Sequence, residues 1–260
     1  MSETPLERYL PHRRRYLAAR AGLLSIALLI GSTSGPRVET QSGGPTTGRA
    51  AHGLAMERTA RERPELEVAA RLDQAPGNIT ITPSGRMLVS LHQFFQPELR
   101  VAEVRPDGSL APWPRAARAS GPDPLPLDSV LGLQSDPDGV VWLLDNGMRT
   151  KRTPRLVAWD ERGDSLVRII PLPPPATVAG SFANDLAIDM THGAIYIADP
   201  AGGADAAVIV VDLAEGKARR VLAGHASVVP EEIDLVVEGR PVRAKLPDGR
   251  LVSPRAGVNP

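Results

Sequence analysis

Gly85, Gly139 and Gly193 stand 54 residues apart, each at the same place in a repeated segment. The segments are Ile79–His92 (ITITPSGRMLVSLH), Leu133–Asn146 (LQSDPDGVVWLLDN) and Ala187–Pro200 (AIDMTHGAIYIADP). Each reads as an apolar strand, a turn built from Pro, Gly or Asp, and a second apolar strand, which is the pattern of a β-hairpin. A further hairpin follows each of them: Leu99–Trp113, Arg155–Pro171 and Ala207–Leu222, with turn glycines Gly108, Gly163 and Gly216. The repeating unit is therefore two hairpins, or four strands, and a four-stranded unit of this length reads as a propeller blade. The apolar runs VVWLLD and AIYIAD suit strands packed between neighbouring blades. No amphipathic helical pattern of ten or more residues lies between the strands, so an α/β fold is excluded.

The stretch from Asn78 to Pro260 holds about 3.4 such units, whereas closed propellers carry ~4–8 blades. Asp234–Val237 and Val242–Val252 read as a fourth unit beginning, and Leu66–Leu72 (LEVAARL) as an isolated strand ahead of the first blade. The expected fold is all-β: three blades and the start of a fourth, within residues 65–260. On this count the sequence reads as part of a longer protein, and its open end predicts self-association through unpaired strand edges. The alternative is a half-ring that pairs with a second copy.

Residues 1–35 carry a different signal. His12-Arg13-Arg14-Arg15-Tyr16-Leu17 is basic, and Ala21–Gly31 (AGLLSIALLIG) is an uncharged, mostly apolar run. That order is the order of an export signal or membrane anchor, and the run is shorter than the ~20 residues a span needs. Arg13-Arg14-Arg15-Tyr16-Leu17 resembles the twin-arginine pattern, which predicts a secreted or periplasmic protein, anchored if the signal is uncleaved. Residues 36–64 read as a flexible linker rich in Ser, Thr and Gly. Any membrane contact is expected through this N-terminal segment alone.

Composition narrows the partners. Thirty basic and thirty acidic side chains cancel, which argues against a protein that binds nucleic acid by neutralising phosphates. Phe, Trp and Tyr occur three times each, too few for a base-stacking surface. With no Cys, disulfides, thiolate catalysis and Cys-ligated zinc are excluded. No G-x-S-x-G elbow, P-loop or dinucleotide fingerprint is present.

Three stretches carry a family resemblance: Pro76–Val104, Asp128–Gly147 (DSVLGLQSDPDGVVWLLDNG) and Phe182–Gly203 (FANDLAIDMTHGAIYIADPAGG). They resemble the bacterial branch of the major royal jelly protein/yellow family. The resemblance implies a six-bladed propeller, usually secreted, akin to gluconolactonase-like propellers that often hold calcium near the axis.

In such a fold the loops at the ends of the innermost strands rim one mouth, so polar residues recurring there are the site candidates. Asn78 precedes the first inner strand, and Asn184 and Asp185 precede the third. Their oxygens suit Ca²⁺, and the resemblance places a metal-binding Asn at the 184 position. Asp145, Asn146 and Asp199 end second strands one repeat apart, and His92 follows the corresponding strand of the first unit. These four are expected to contact a small-molecule ligand. For each of the Asn and Asp positions a turn or capping role is the competing reading, and for His92 a structural one. Glu231, Glu232 and Asp234 form an acidic cluster where the fourth unit begins, which reads as a solvated loop. Two functions follow. One is an exported small-molecule-binding propeller, with calcium-dependent lactone hydrolysis as its enzymatic form. The other is a non-catalytic yellow-type binding or scaffold protein. An axial cation and a base separate the first from the second.

Overall fold

The computed structural model describes residues 68–115, 126–201, 203–246 and 248–259. The basic and apolar segments of residues 1–35 and the linker at 36–64 lie outside the described residues. Among the described residues no helix is long and apolar enough to cross a membrane.

Twelve strands form three four-stranded antiparallel sheets, each a simple meander. The first comprises β1 (Pro76–Ile81), β2 (Met87–Leu91), β3 (Val101–Val104) and β4 (Leu110–Pro112). The second comprises β5 (Val130–Ser135), β6 (Val140–Asp145), β7 (Arg155–Asp160) and β8 (Ser165–Pro171). The third comprises β9 (Leu186–Asp189), β10 (Ala194–Asp199), β11 (Ala207–Asp212) and β12 (Lys217–Val221). These are the three expected blades, hairpin for hairpin. A short 3-10 helix, Gln93–Phe95, follows β2.

Alternation along the strands explains the packing. A strand points successive side chains to opposite faces, so a central blade must be apolar on both. All six residues of β6 are buried. Val140, Trp142 and Leu144 enter a cluster with Ile195, Ile197 and Ile209 of the third blade. Val141 and Leu143 enter another with Leu88, Val101 and Trp113 of the first. Strand β7 does the same, with Leu156 and Ala158 on one side and Val157 and Trp159 on the other. Burying each Leu, Ile or Val contributes about 1.5–3 kcal/mol, and both inter-blade layers depend on it.

The inner strands are also linked by a repeated polar device. Thr80 Oγ1 of β1 accepts from the Ser135 backbone N–H of β5 at 3.0 Å. One repeat on, Gln134 Oε1 of β5 accepts from the Ile188 N–H of β9, also at 3.0 Å. In each case a side chain from one blade satisfies a backbone donor at the edge of the next, where the inner strand has no further strand to pair with.

The structure corrects one expectation and adds detail to two. In the second blade Gly163 lies in the turn as expected, and the left-handed residue beside it is Asp164 (φ 45°). Asp tolerates that conformation, and its Oδ1 accepts from Trp159 Nε1 at 3.0 Å. Within Leu66–Leu72, residues 68–72 are not a strand. Ala70 and Leu72 instead pack as loop residues on Val89, Leu91, Ala102 and Val104 of the first blade. Finally, the fourth unit is two separate two-residue hairpins, β13 (Val236–Val237) with β14 (Arg240–Pro241), and β15 (Ala244–Lys245) with β16 (Leu251–Val252). Their sequences lack the long apolar alternation that holds β6 between two neighbours, and Val236, Val237 and Leu251 are exposed.

Candidate functional site at the mouth of the blades

The starts of β1, β5 and β9 and the ends of β2, β6 and β10 lie at one end of the stacked hairpins. The turns at Gly85, Gly139 and Gly193 lie at the other. Every candidate residue named above therefore sits at the same mouth, but the side chains divide into two groups.

The first group faces across the mouth. Asn78 and Asp185 each stand one residue before a residue paired across the blade, Ile79 with Val89 and Leu186 with Ile197. Each turns its side-chain Oδ1 back to the N–H of the next residue, Asn78 to Ile79 at 2.6 Å and Asp185 to Leu186 at 2.7 Å. The matching position on β5, one before the Leu133–Leu143 pair, is Gly132. A Cβ there would lie 2.7 Å from Asp185 Oδ1 and 2.8 Å from Asp185 Cα. The missing side chain lets β9 approach β5 closely, and the Asn78 amide of the first blade comes near enough to the Asp185 carboxylate of the third to favour its charged form. Burial raises the Asp185 pKa above the ordinary carboxylate value, opposed by the Leu186 N–H and the Asn78 amide. A cleft of about 710 Å³ opens beside the pair, between residues 68–76 and the first blade. Its walls include Leu72, Ile79, Met87 and Val89, with Asn78 and Asp185 among its polar lining.

A second contact crosses the mouth above the first. The 3-10 helix of the first blade carries Phe94 to Phe182 of the third, the rings stacked with centroids 6.1 Å apart. His92 caps that helix. Its Nδ1 accepts from the Phe94 N–H at 3.3 Å, and burial lowers its pKa. The expected ligand contact of His92 is thus joined by a local structural role.

The second group is turned into the framework. Asp145, 1% exposed, accepts from the Asp128 and Ser129 N–H groups and pairs with Arg155 at 3.0 Å. Asp199, fully buried, accepts from Ser181 Oγ and the Phe182 and Ala201 N–H groups and pairs with Arg220 at 2.5 Å. These two acids end equivalent strands and clamp the loops that begin the adjoining inner strands. Buried and bonded in this way, they hold the rim's shape. Asn146 is buried as well, its Oδ1 accepting from the Met148 N–H at 3.2 Å. Asn184 is drawn away from Asp185 to the Asn259 side chain. Asp234 pairs with Arg243 and Arg255, and Glu232 with Arg255, as expected of a solvated acidic loop.

Sequence reading missed Gly132, Phe94 and Phe182. A glycine inside an otherwise apolar inner strand, one repeat from both Asn78 and Asp185, was the available signal for the first. For the rings it was the placement of all three Phe residues at strand ends.

Three meander sheets stacked side by side, with inner strands converging on one mouth, define a β-propeller in part. Residues 128–253 match the family model described as Major royal jelly protein. No curated protein sequence matches the chain. Among solved structures, it is similar to YCF48 bound to a D1 peptide (13% identity, TM-score 0.40, 62% of this chain and 45% of that one). It is similar also to a gluconolactonase from Xanthomonas campestris (19%, 0.38, 60% and 50%). A third is the PQQ-bound aldose sugar dehydrogenase from Streptomyces coelicolor (17%, 0.37, 56% and 47%). The chain spans half or less of the length of each of these structures.

Proposed function

We propose that this protein is an exported propeller that binds a small molecule in the cleft beside Asn78 and Asp185. The observation that carries the reading is the cleft itself. About 710 Å³, mostly apolar walls and a few convergent polar groups are the dimensions and chemistry of a small-molecule site. A half-buried carboxylate, held above its ordinary pKa by burial at the edge of that cleft, supports it further.

Asn78 and Asp185 also supply oxygens of the type Ca²⁺ takes, and a shell of ~6–8 would be completed by ligand, water and backbone. Asn78 would have to turn its amide oxygen from Ile79 toward the cation. A cation held there would polarise a ligand carbonyl. Lactone hydrolysis requires an acidic base at the same mouth in addition.

Calcium titration of the full chain, followed by thermal unfolding, tests the cation. At about 100 times its Kd, Ca²⁺ should add about 2.7 kcal/mol of stability, and Asp185→Ala should abolish the gain. No response to calcium, or one that survives Asp185→Ala, would remove the cation from the account. Export rests on the basic and apolar order of residues 12–31. A reporter fused to residues 1–50 should be exported, and a reporter retained in the cytoplasm would contradict it.

A further inference from the structure

The two carboxamides beneath the aromatic rim are incompletely bonded. Gln93 is 6% exposed and Asn146 is 4% exposed. Among the described residues neither Gln93 Oε1 nor Asn146 Nδ2 has a hydrogen-bond partner. Gln93 Nε2 has only the Met148 thioether, at 3.4 Å, and sulfur is a weak acceptor. The same Met148 donates its N–H to Asn146 Oδ1. Met148 thus meets Gln93 through its side chain and Asn146 through its backbone N–H, and it is 45% exposed. An unpaired buried amide costs about 1–3 kcal/mol, so such a pair calls for a physical reason.

The surface around Met148 supplies one. The chain has three Trp and three Phe. Trp113, Trp142 and Trp159 are all buried, but Phe94 is 67% exposed and stacks on Phe182 at the mouth. Exposed aromatic rings beside masked hydrogen-bonding groups match a ligand that has both features. Asp145, which precedes Asn146, is paired with Arg155. A charged ligand group placed against two neutral amides would be buried without a counterion.

We propose that Met148 is the displaceable cover of a second recognition site, distinct from the cleft at Asn78 and Asp185. Its ligand is a neutral, planar aromatic molecule bearing an adjoining hydrogen-bond donor and acceptor. On entry the Met148 side chain swings aside, Gln93 Oε1 and Asn146 Nδ2 pair with the ligand's donor and acceptor, and the ring lies against Phe94 and Phe182.

Benzamide is the simplest probe with this chemistry, and benzoate and benzylamine are its anionic and cationic counterparts. The full chain, labelled with ¹³C in its methionine methyl groups, is titrated with each and followed by NMR and calorimetry. The Met148 signal is identified by its loss in Met148→Ala. Benzamide should shift that signal, and both charged analogues should bind at least about tenfold more weakly. Phe94→Ala, at an exposed position, should weaken benzamide about tenfold. Met148→Ala, which removes the cover, should strengthen it. Asp185→Asn should leave it unchanged, which separates this site from the cleft. Equal binding of all three probes, an unmoved Met148 signal at millimolar benzamide, or weaker binding by Met148→Ala would overturn the proposal.

Discussion

Asp185 and Gly132 depend on each other. A carboxylate with its backbone 2.8 Å from where a Cβ would stand on the neighbouring strand can be placed only against glycine. The arrangement has an electrostatic cost, since burial holds the Asp185 pKa up despite two hydrogen bonds to it. A group whose folded pKa exceeds its unfolded value contributes stability below the unfolded pKa and loses it as pH rises through the folded one. Ionised Asp185 is therefore a burden at neutral pH. Asp185→Asn should stabilise the calcium-free protein at pH 7 and leave it nearly unchanged at pH 3, measured by urea unfolding at both. Destabilisation at pH 7 would show instead that the carboxylate is a structural ligand of the fold. The sequence marked Asn78 and Asp185 because both precede inner strands. It did not show that they meet, because the contact passes over Gly132, and a residue without a side chain announces nothing about what crosses it.

At the level of strands and hairpins, the blades were legible in full. Period-two alternation and turn residues are local signals, and the 54-residue spacing repeated them three times. What remained hidden were features set by neighbours. Asp145 and Asp199 looked like rim ligands, since an acid ending a strand reads the same whether it faces solvent or its own loop. Arg155 and Arg220, 10 and 21 residues further on, draw each acid inward. Removing one partner of a buried pair leaves the other charge uncompensated, at about 3–5 kcal/mol. Asp199→Asn should accordingly cost about that much in urea unfolding, and adding Arg220→Met should recover most of the loss. A single substitution costing less than about 1 kcal/mol would mean the clamp is dispensable. The 3-10 helix after β2 was invisible for a related reason. Three residues carry no periodicity, and its cap is a histidine ring accepting from the Phe94 N–H.

For the whole molecule, the first and third blades meet at the mouth through contacts that skip the middle blade. Phe94 reaches Phe182 and Asn78 reaches Asp185, each joining the first blade to the third. The core could not do this alone, since its clusters join only adjacent blades. The partial propeller supplies the stack, and the small-molecule reading rests on the mouth being a shared surface. That claim is tested most directly by ¹³C NMR titration of the Asp185 carboxyl group in the calcium-free chain. Its pKa should lie above the ordinary value of an aspartate, and Asn78→Ala, a change in the first blade, should raise it further by removing the amide that favours the charged form. An Asp185 pKa at the ordinary value, unmoved by Asn78→Ala, would show that the two blades do not meet there.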